Sequence, residues 1–251
     1  MRHLGMRPIY LFLALWVATD GAYAEDAPKI GATVVVIRDV QGLVGASAAP
    51  LKKDDGLFHK ETISSGNASA AQARFIDNTA LTLGENSRVT LDNFVFDPSG
   101  GNQSVDISFI QGIFRFVTGG MSKPAYNVQT PAAVVGVRGT VFDIVVAADG
   151  ATAVVVEEGS IQFSNKVGQS VVVSAGQASR IASADSPPSP PAPPAAEVLA
   201  PVVAMTALLA VSAPPADILP DATVKGVAEQ SSAAAALAAG TSSDSPGGGL
   251  K

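Results

Sequence analysis

The chain has 251 residues, of which 47% are apolar, 15% charged and 6% aromatic, with no cysteine and a formal net charge of −6. The absence of cysteine excludes disulfides, CxxC redox pairs, thiolate zinc sites, a cysteine nucleophile and the lipidated cysteine of a bacterial lipoprotein. The acidic charge argues against a nucleic-acid binder, because such proteins draw their affinity from clustered lysine and arginine.

Residues 1–24 have the pattern of a secretory signal peptide. Arg2 and Arg7 form a positive start, and an uncharged stretch runs from Ile9 to Ala18. Ala22-Tyr23-Ala24 then supplies the small residues that precede cleavage. The apolar run is shorter than the roughly 20 residues needed to cross a membrane. We therefore expect cleavage after Ala24 and export, to the bacterial periplasm or out of the cell.

Residues 25–182 have the pattern of a β domain. Their β-branched and aromatic runs are short and end at Gly, Asn, Asp, Ser or Pro, which is typical of strands joined by tight turns. No stretch shows the sustained apolar period of a helix. The predicted strands are 33–37, 73–76, 81–83, 89–96, 113–117, 133–137, 141–146, 153–156, 161–163 and 171–173.

The predicted fold class is therefore all-β, with many short strands in one domain. The runs AAVVGV at 132–137 and FDIVV at 142–146 are apolar at almost every position, which predicts strands covered on both faces. Two architectures fit such a chain: an irregular β-solenoid and a two-sheet sandwich. Without a fixed repeat length, periodicity leaves both open.

Several motifs of this region form a recognisable set. In chain order they are IDNTALTLGENS at 76–87, VTLD at 89–92, GIFRFVTG at 112–119, QTP at 129–131, GVRGTVF at 136–142, Glu158-Gly159 and Ala175-Gly176-Gln177. Their order and spacing resemble the FecR domain, an extracytoplasmic β-rich module, over about residues 31–181. The signature residues lie in its most specific piece, TPAAVVGVRGTVF, and are Gly136, Arg138, Gly139 and Thr140.

The resemblance implies a solenoid-like arrangement of strands and a role in surface signalling. Family members that regulate sigma factors resemble a cytoplasmic anti-sigma segment, a membrane helix and then this domain. In the periplasm the domain meets the signalling domain of a TonB-dependent outer-membrane receptor. This chain shows only the export signal before its β domain, and it resembles the stand-alone exported form. We expect an envelope protein as partner, with that receptor domain as the candidate, and no transmembrane span in the mature chain.

Arg138 stands between Gly136 and Gly139, directly after a strand predicted to be covered on both faces. Its guanidinium is expected to be buried and paired, or to emerge at a bend where glycines allow a close backbone approach. We favour hydrogen bonds to turn carbonyls or to a carboxylate such as Asp143 over direct ligand contact. Arg138→Ala should then lower the melting temperature by several degrees.

No catalytic or metal-binding constellation is visible in the sequence, and we predict neither an enzyme nor a cofactor. His59 is the only histidine after cleavage, and no GxSxG motif accompanies it. Asp54-Asp55-Gly56 and Glu157-Glu158-Gly159 lack the spacing of a calcium loop. They are interpreted as acidic turns that end in a glycine able to take positive φ.

The phenylalanines are predicted to form the core of the β domain. Alternation in IFRFV places Phe114 and Phe116 on one face of a strand and Arg115 on the other. The full predicted set is Phe109, Phe114, Phe116, Phe142 and Phe163.

Residues 183–251 contain 11 of the 17 prolines and no aromatic residue. Such a segment buries too little apolar surface to offset its ordering entropy, which predicts a largely disordered Pro/Ala-rich tail outside the core. The proline run at 187–194 favours a stiff polyproline II conformation. The exception is 198–211, an apolar stretch expected to form a short helix that rests on the domain or on a partner.

These observations predict a non-enzymatic, exported binding module that recognises another protein, by offering a strand edge to which the partner adds its own strand. The alternative is a structural, envelope-associated protein that binds carbohydrate or matrix, with the tail as a spacer to the cell surface. Tyr126 is the only Tyr or Trp after cleavage, and this scarcity of sugar-stacking rings counts against the alternative.

Overall fold

The computed structural model describes residues 28–97, 99, 103–120, 126–137 and 139–212. The predicted signal peptide and residues 213–251 of the predicted tail lie outside the described residues. The strands are β1 (Lys29–Ile37), β2 (Val40–Val44), β3 (Ser47–Pro50), β4 (Gly56–Phe58), β5 (Thr62–Ser65), β6 (Ala70–Phe75), β7 (Ala80–Leu83), β8 (Arg88–Val95), β9 (Ser104–Val117), β10 (Tyr126–Gln129), β11 (Ala133–Val137), β12 (Val141–Val146), β13 (Thr152–Glu158), β14 (Ser160–Asn165), β15 (Ser170–Ser174) and β16 (Ala178–Ile181), and the helix is α1 (Ala196–Ser212). The predicted all-β class is confirmed.

The strands form two sheets that share β9. Sheet A has the order β4-β1-β6-β7-β9-β12-β13-β16. Sheet B has the order β3-β2-β5-β8-β9-β10-β11-β14-β15. Among the described strands, β9 and β10 form the one parallel pair, and the other pairs are antiparallel.

Strand β9 passes from one sheet to the other at Gly112. Its first part pairs with β8 as far as Gln111, and its second part pairs with β12 from Gly112 onward. Gly112 has a φ of +114°, and a Cβ atom there would lie 2.2 Å from Ser87 Oγ. Only glycine suits both the conformation and the space, so this residue allows one strand to serve both sheets.

The core lies between the facing sides of the two sheets. The rings of Phe75 in sheet A and Phe94 in sheet B stack at 5.1 Å, and those of Phe116 and Tyr126 meet edge to face at 6.0 Å. The predicted core phenylalanines are fully buried, which confirms that prediction: Phe109, Phe114, Phe116, Phe142 and Phe163. Of the two predicted architectures, the structure has the sandwich. Two sheets enclose one core, and β9 belongs to both sheets.

Three of the short turns follow the predicted chemistry, whereas Arg38, Lys60 and Ala68, which are not typical turn residues, also take positive φ. Asn78 and Asn86 take the left-handed conformation, with φ of +68° and +51°, and Gly159 does so at +77°. In the first acidic turn, however, the residue with positive φ is Asp54, at +70°, whereas Gly56 begins β4. Short polar side chains tolerate this region, so Asp54 takes the role predicted for the glycine.

The first part of the predicted tail differs from the expectation of a disordered segment outside the core. Residues 183–195, here named the strap, run beside β16, where the N–H of Ala192 donates to the carbonyl of Ala178 at 3.1 Å. In the other direction the Ala178 N–H donates to the Ala192 carbonyl at 2.7 Å. Composition did not reveal that the strap is ordered, because the hydrogen bonds that hold it in place are supplied by the backbone of β16 and not by the strap's own residues.

Helix α1 packs on the side of sheet A that faces away from the core. Val202 and Met205 are buried there, and Met205 lies against Gly84 and near Ile113. The helix thus rests on the domain, as predicted for the apolar stretch 198–211. In the described part of the chain, no helix is both long and apolar enough to cross a membrane.

Candidate functional site

Four strands lie at the ends of the two sheets: β4 and β16 in sheet A, and β3 and β15 in sheet B. Exposed strand edges accept strands from other chains, and proteins commonly block them with prolines, charges, short lengths or covering segments. Strand β4 has only three residues, and β3 ends in Pro50, which has no N–H to donate. These two edges therefore offer little to a partner strand.

The edge of β16 is covered by the strap. Besides the two bonds between Ala178 and Ala192, the N–H of Ser189 donates to the carbonyl of Arg180 at 2.9 Å. Ser189 Oγ accepts the N–H of Arg180 at 3.0 Å, and the Ser189 carbonyl accepts the hydroxyl of Ser179 at 2.7 Å. The strap thus occupies this edge as an added strand would.

Strand β15 is uncovered on the side facing away from β14, named here the open edge. Among the described strands, β15 pairs only with β14. It has five residues, SVVVS, with neither proline nor charge. Of the four end strands, β15 therefore has the edge best suited to receive a strand from another chain.

Backbone groups alternate along β15 between the β14 side and the open edge. At the turn between the two strands, the N–H of Asn165 donates to the carbonyl of Gln169 at 2.9 Å. Bonded and non-bonded pairs alternate in an antiparallel ladder, so Val171 and Val173 form the next bonded pairs with β14. The backbone groups of the residues between them point to the open edge.

Those residues are Ser170, Val172 and Ser174. Gln177 satisfies both outward groups of Ser174: its side-chain oxygen accepts the Ser174 N–H at 3.1 Å, and its own N–H donates to the Ser174 carbonyl at 3.0 Å. Ser170 and Val172 are left with outward backbone groups that bond to no described residue. The Val172 side chain is 63% exposed, so an apolar group lies beside these donors and acceptors.

Of the predicted signature residues, Gly139 and Thr140 lie where the chain crosses from β11 in sheet B to β12 in sheet A. Thr140 is buried, its hydroxyl donates to the carbonyl of Ser160 at 3.0 Å, and its N–H donates to Thr118 Oγ1 at 2.9 Å. Gly139 has a φ of +65°, and its carbonyl would lie 2.3 Å from a Cβ at Gly159. These contacts hold the crossover in shape and favour the structural role.

Gly136 lies on β11, on the side of sheet B that faces solvent. The nearest atom to a Cβ there would be Gln162 Cβ, at 3.8 Å, so a small side chain would fit. Arg138 lies outside the described residues, and its role stays a prediction. Asp143, named as a possible partner for it, is bonded elsewhere.

Sequence reasoning missed an ionic cluster on the outer side of sheet A, in which two of the three side chains are buried. Arg115 on β9 donates to both oxygens of Asp143 on β12, from Nε at 2.9 Å and from Nη2 at 3.0 Å. Nη2 also donates to Glu157 on β13. Arg115 is 6% exposed and Asp143 1% exposed. The sequence did contain a signal for this cluster. In the strongly apolar strands β9 and β12, Arg115 and Asp143 each follow a phenylalanine and so point to the other face of the sheet.

Burial sets the acid–base properties of this cluster. Burial raises the pKa of Glu157; the attraction of Arg115 opposes this effect and the repulsion of Asp143 adds to it. Burial also raises the pKa of Asp143, against the opposing hydrogen bonds and charge of Arg115. Two carboxylates thus share one guanidinium, and the cluster carries a surplus negative charge when both are ionised.

A second buried network explains the IDNT part of the resemblance. Asp77 and Thr79 lie in the turn between β6 and β7, and the Tyr126 hydroxyl of β10 donates to Asp77 Oδ2 at 2.6 Å. Asp77 Oδ1 accepts the N–H of Thr79 at 2.9 Å. Thr79 Oγ1 in turn accepts the N–H of Gly119 at 3.0 Å. The turn is thereby fixed to both sheets, and the motif has a structural explanation.

The remaining candidates form no active centre in the described residues. His59 Nε2 lies 2.9 Å from the carbonyl of Asp92, in a contact with the backbone of β8. No group of three or more His, Asp or Glu side chains within the described ranges is placed to hold a metal ion.

The protein is thus a two-sheet β module in which the last strand of sheet B, β15, pairs on one side only among the described strands. A model of the family described as FecR protein matches residues 61–162, from the residue before β5 into β14. This match confirms the resemblance to the FecR domain, over a shorter stretch than the predicted 31–181. FecR domains are extracytoplasmic, non-enzymatic parts of signalling systems. Strand β15 and the strap lie beyond the matched residues.

Two crystal structures, at 2.50 and 1.65 Å resolution, are similar in part to this chain. Both are of a protein from Parabacteroides distasonis that is described as a "putative anti-sigma factor". Each shows 16% sequence identity and a TM-score of 0.42, over 55% of this chain and 62% of that protein. The chain thus spans less than two thirds of the length of this structural neighbour. No curated protein sequence matches the chain.

Proposed function

We propose that the protein is an exported, non-enzymatic binding module of envelope signalling, and that its partner adds a strand to the open edge of β15. The observation that carries the proposal is the difference between the four end strands. One is too short, one ends in Pro50, one is covered by the strap, and β15 alone among them keeps outward backbone groups, those of Ser170 and Val172, that bond to no described residue.

Main-chain hydrogen bonds and a side-chain contact both contribute to such binding. A partner strand would bond to the outward groups of Ser170 and Val172, and main-chain bonds of this kind supply affinity without fixing a sequence. The exposed Val172 side chain gives the partner an apolar contact beside these bonds. A partner with an apolar residue opposite Val172 would therefore bind best.

The FecR domain supports an envelope partner. The resemblance implies the periplasmic signalling domain of a TonB-dependent receptor, and we propose this domain as the binding partner. Binding to this domain would buffer or compete in receptor signalling.

The binding test uses the exported chain purified from the periplasm and a purified receptor signalling domain from the same organism. Titration calorimetry compares the unaltered chain with Val172→Lys and with the control Val167→Lys. Val167 is similarly exposed, at 60% against 63%, but lies in the turn before β15. We expect binding to be lost with Val172→Lys only. Equal binding by all three chains would contradict the proposed edge, and no binding by the unaltered chain would contradict the proposed partner.

Export is tested separately. The full chain with a C-terminal tag is expressed, the cells are fractionated, and the N-terminus of the recovered protein is sequenced. We expect the protein in the periplasm or the medium, beginning at Glu25. A cytoplasmic protein that retains Met1 would contradict the proposed export.

The alternative role, binding of carbohydrate or matrix, would use the solvent-facing side of sheet B. Asp106 lies at the centre of that side and accepts hydrogen bonds from Asn93, Ser104 and Asn127. Partial burial by itself would raise the pKa of Asp106, but these hydrogen bonds outweigh it and lower the pKa. The polar groups are thus bonded to one another, and Tyr126 is buried where it cannot stack on a sugar. The open edge is the better supported site.

A further inference from the structure

We infer that, when no partner is bound, two copies of this chain pair antiparallel through their open edges. In this arrangement Val171 of one copy lies opposite Val171 of the other. Ser170 of each copy then lies opposite Val172 of the other copy, and sheet B continues across the two molecules. The inference concerns the edge of the proposed function and deepens it, because pairing and partner binding would exclude each other.

The positions of the free backbone groups select this register. Ser170 and Val172 each direct one N–H and one C=O to the open edge, whereas Gln177 occupies those of Ser174. An antiparallel copy presents the same groups in reverse order, so each free residue meets a free residue of the other chain. All four free residues of the pair are then satisfied without displacing Gln177.

Side chains support the same pairing on both sides of the sheet. Val171 points toward the core but is only half-buried, since β15 ends the sheet. In the pair, the two Val171 side chains would lie opposite each other, and each would cover the exposed part of the other. On the solvent side, each exposed Val172 would pack beside Ser170 of the other copy.

Charge also permits a second copy at this edge. The chain has a net charge of −6, so most approaches of two copies bring negative charges together. The stretch 167–177, VGQSVVVSAGQ, contains no charged residue and no proline. Two copies can therefore meet here without repulsion between directly opposed side chains.

Cysteine cross-linking tests the register, and the cysteine-free chain makes the test specific. Ser170→Cys and Val172→Cys chains are mixed under mild oxidation, and each is also oxidised alone. A hydrogen-bonded antiparallel pair has a Cα separation of about 5.5 Å, which suits a disulfide. We expect the mixture to form disulfide dimers about tenfold faster than either single variant or a mixture of Val172→Cys with Val167→Cys. Equal rates, or faster dimerisation of Val172→Cys alone, would overturn the inference.

Charge substitution provides an independent test by sedimentation equilibrium. In the double variant Ser170→Glu/Val172→Lys, each glutamate faces a lysine of the other copy, and we expect dimerisation about tenfold tighter than for Val172→Lys alone. Far-ultraviolet circular dichroism of each variant checks that the fold is kept. A chain that stays monomeric at all concentrations, with no gain from the double variant, would contradict the pairing.

The result is separable from the proposed function. The chain could be monomeric and still bind the receptor domain in a way that Val172→Lys abolishes. That result would refute only the pairing of two copies at the open edge. Register-specific dimers that never bind a receptor domain would support the inference and refute the proposed partner.

Discussion

The two sheets end differently on the side of β13 and β14. In sheet A the last strand, β16, is covered by the strap, and the outer side of the sheet carries helix α1 and the buried pair of Arg115 and Asp143, to which the more exposed Glu157 is bonded. In sheet B the last strand, β15, is open, and the outer side carries polar groups bonded to one another. One chain thus supplies a covering segment for one sheet and leaves the other sheet free for a further strand.

The largest expected effect is at the ionic cluster of the covered sheet. Asp143→Ala leaves the buried Arg115 without its bidentate partner, and we expect a loss of about 3–5 kcal/mol in the free energy of unfolding. Denaturant unfolding measures this loss. The matched change in the other sheet is Asp106→Ala, where a more accessible side chain should cost about 1 kcal/mol. Equal losses would mean that the two outer sides do not differ in stabilisation.

The docking of helix α1 gives the next effect. Met205 is buried against Gly84, and Met205→Ala should lower the free energy of unfolding by about 2 kcal/mol. Val203→Ala changes the solvent side of the same helix and should stay within about 0.5 kcal/mol. Indistinguishable losses in denaturant unfolding would show that the helix does not rest on sheet A in solution.

A smaller effect is expected for the strap. Ala192→Pro removes the N–H that donates to the Ala178 carbonyl, at a cost of about 1 kcal/mol. The main readout is limited trypsin digestion, because a released strap uncovers the peptide bond after Arg180. We expect faster cleavage there in Ala192→Pro and no change in Ala192→Ser, which keeps the N–H. Unchanged cleavage in both variants would argue that the strap does not protect this edge.

The ionic cluster also predicts a pH dependence. Because the pKa of Glu157 is raised in the folded state, this carboxyl holds its proton more tightly than in the unfolded chain. Its contribution to stability is therefore present at low pH and declines as the pH rises above about 4.5, the ordinary value. The pKa of Glu61 is also raised, mainly by burial, so its contribution to stability changes with pH in the same direction. Glu61 is still present in the variant Glu157→Gln and contributes equally to both chains. The free energy of unfolding of Glu157→Gln, measured by denaturant unfolding, should thus fall less between pH 4.5 and 7 than that of the unaltered chain. An equal fall in the two chains would contradict the raised pKa of Glu157.

The smallest effect on stability is expected at the open edge. Val172→Lys and Val167→Lys both change exposed side chains and should alter the free energy of unfolding by less than about 0.5 kcal/mol. Thermal unfolding checks this value. A large loss in Val172→Lys would mean that β15 contributes to stability in the isolated chain, and the edge would then not be free.

Ten of the sixteen described strands were predicted, because their apolar runs are continuous and their turns contain Gly, Asn and Asp. The other six, β2, β3, β4, β5, β10 and β16, were missed because each is at most five residues long and has no continuous β-branched run. The run 171–173 indicated β15, but the open edge depends on which strands neighbour it, and strand order is not encoded in periodicity. The ionic cluster was missed for the same reason, since Arg115 and Asp143 meet only through the pairing of β9 with β12. The strap was misjudged because its order comes from the backbone of β16 and not from its own composition.

The shared strand β9 has a consequence for how the protein reaches its folded state. Neither sheet is complete without β9, and contacts such as that of Tyr126 with Asp77 join residues 49 positions apart. Such non-local pairing makes folding slow, and the shared strand makes it a single cooperative event. The proposed export requires the chain to stay unfolded until it has passed through the secretion channel, and slow folding of this β topology would provide that delay.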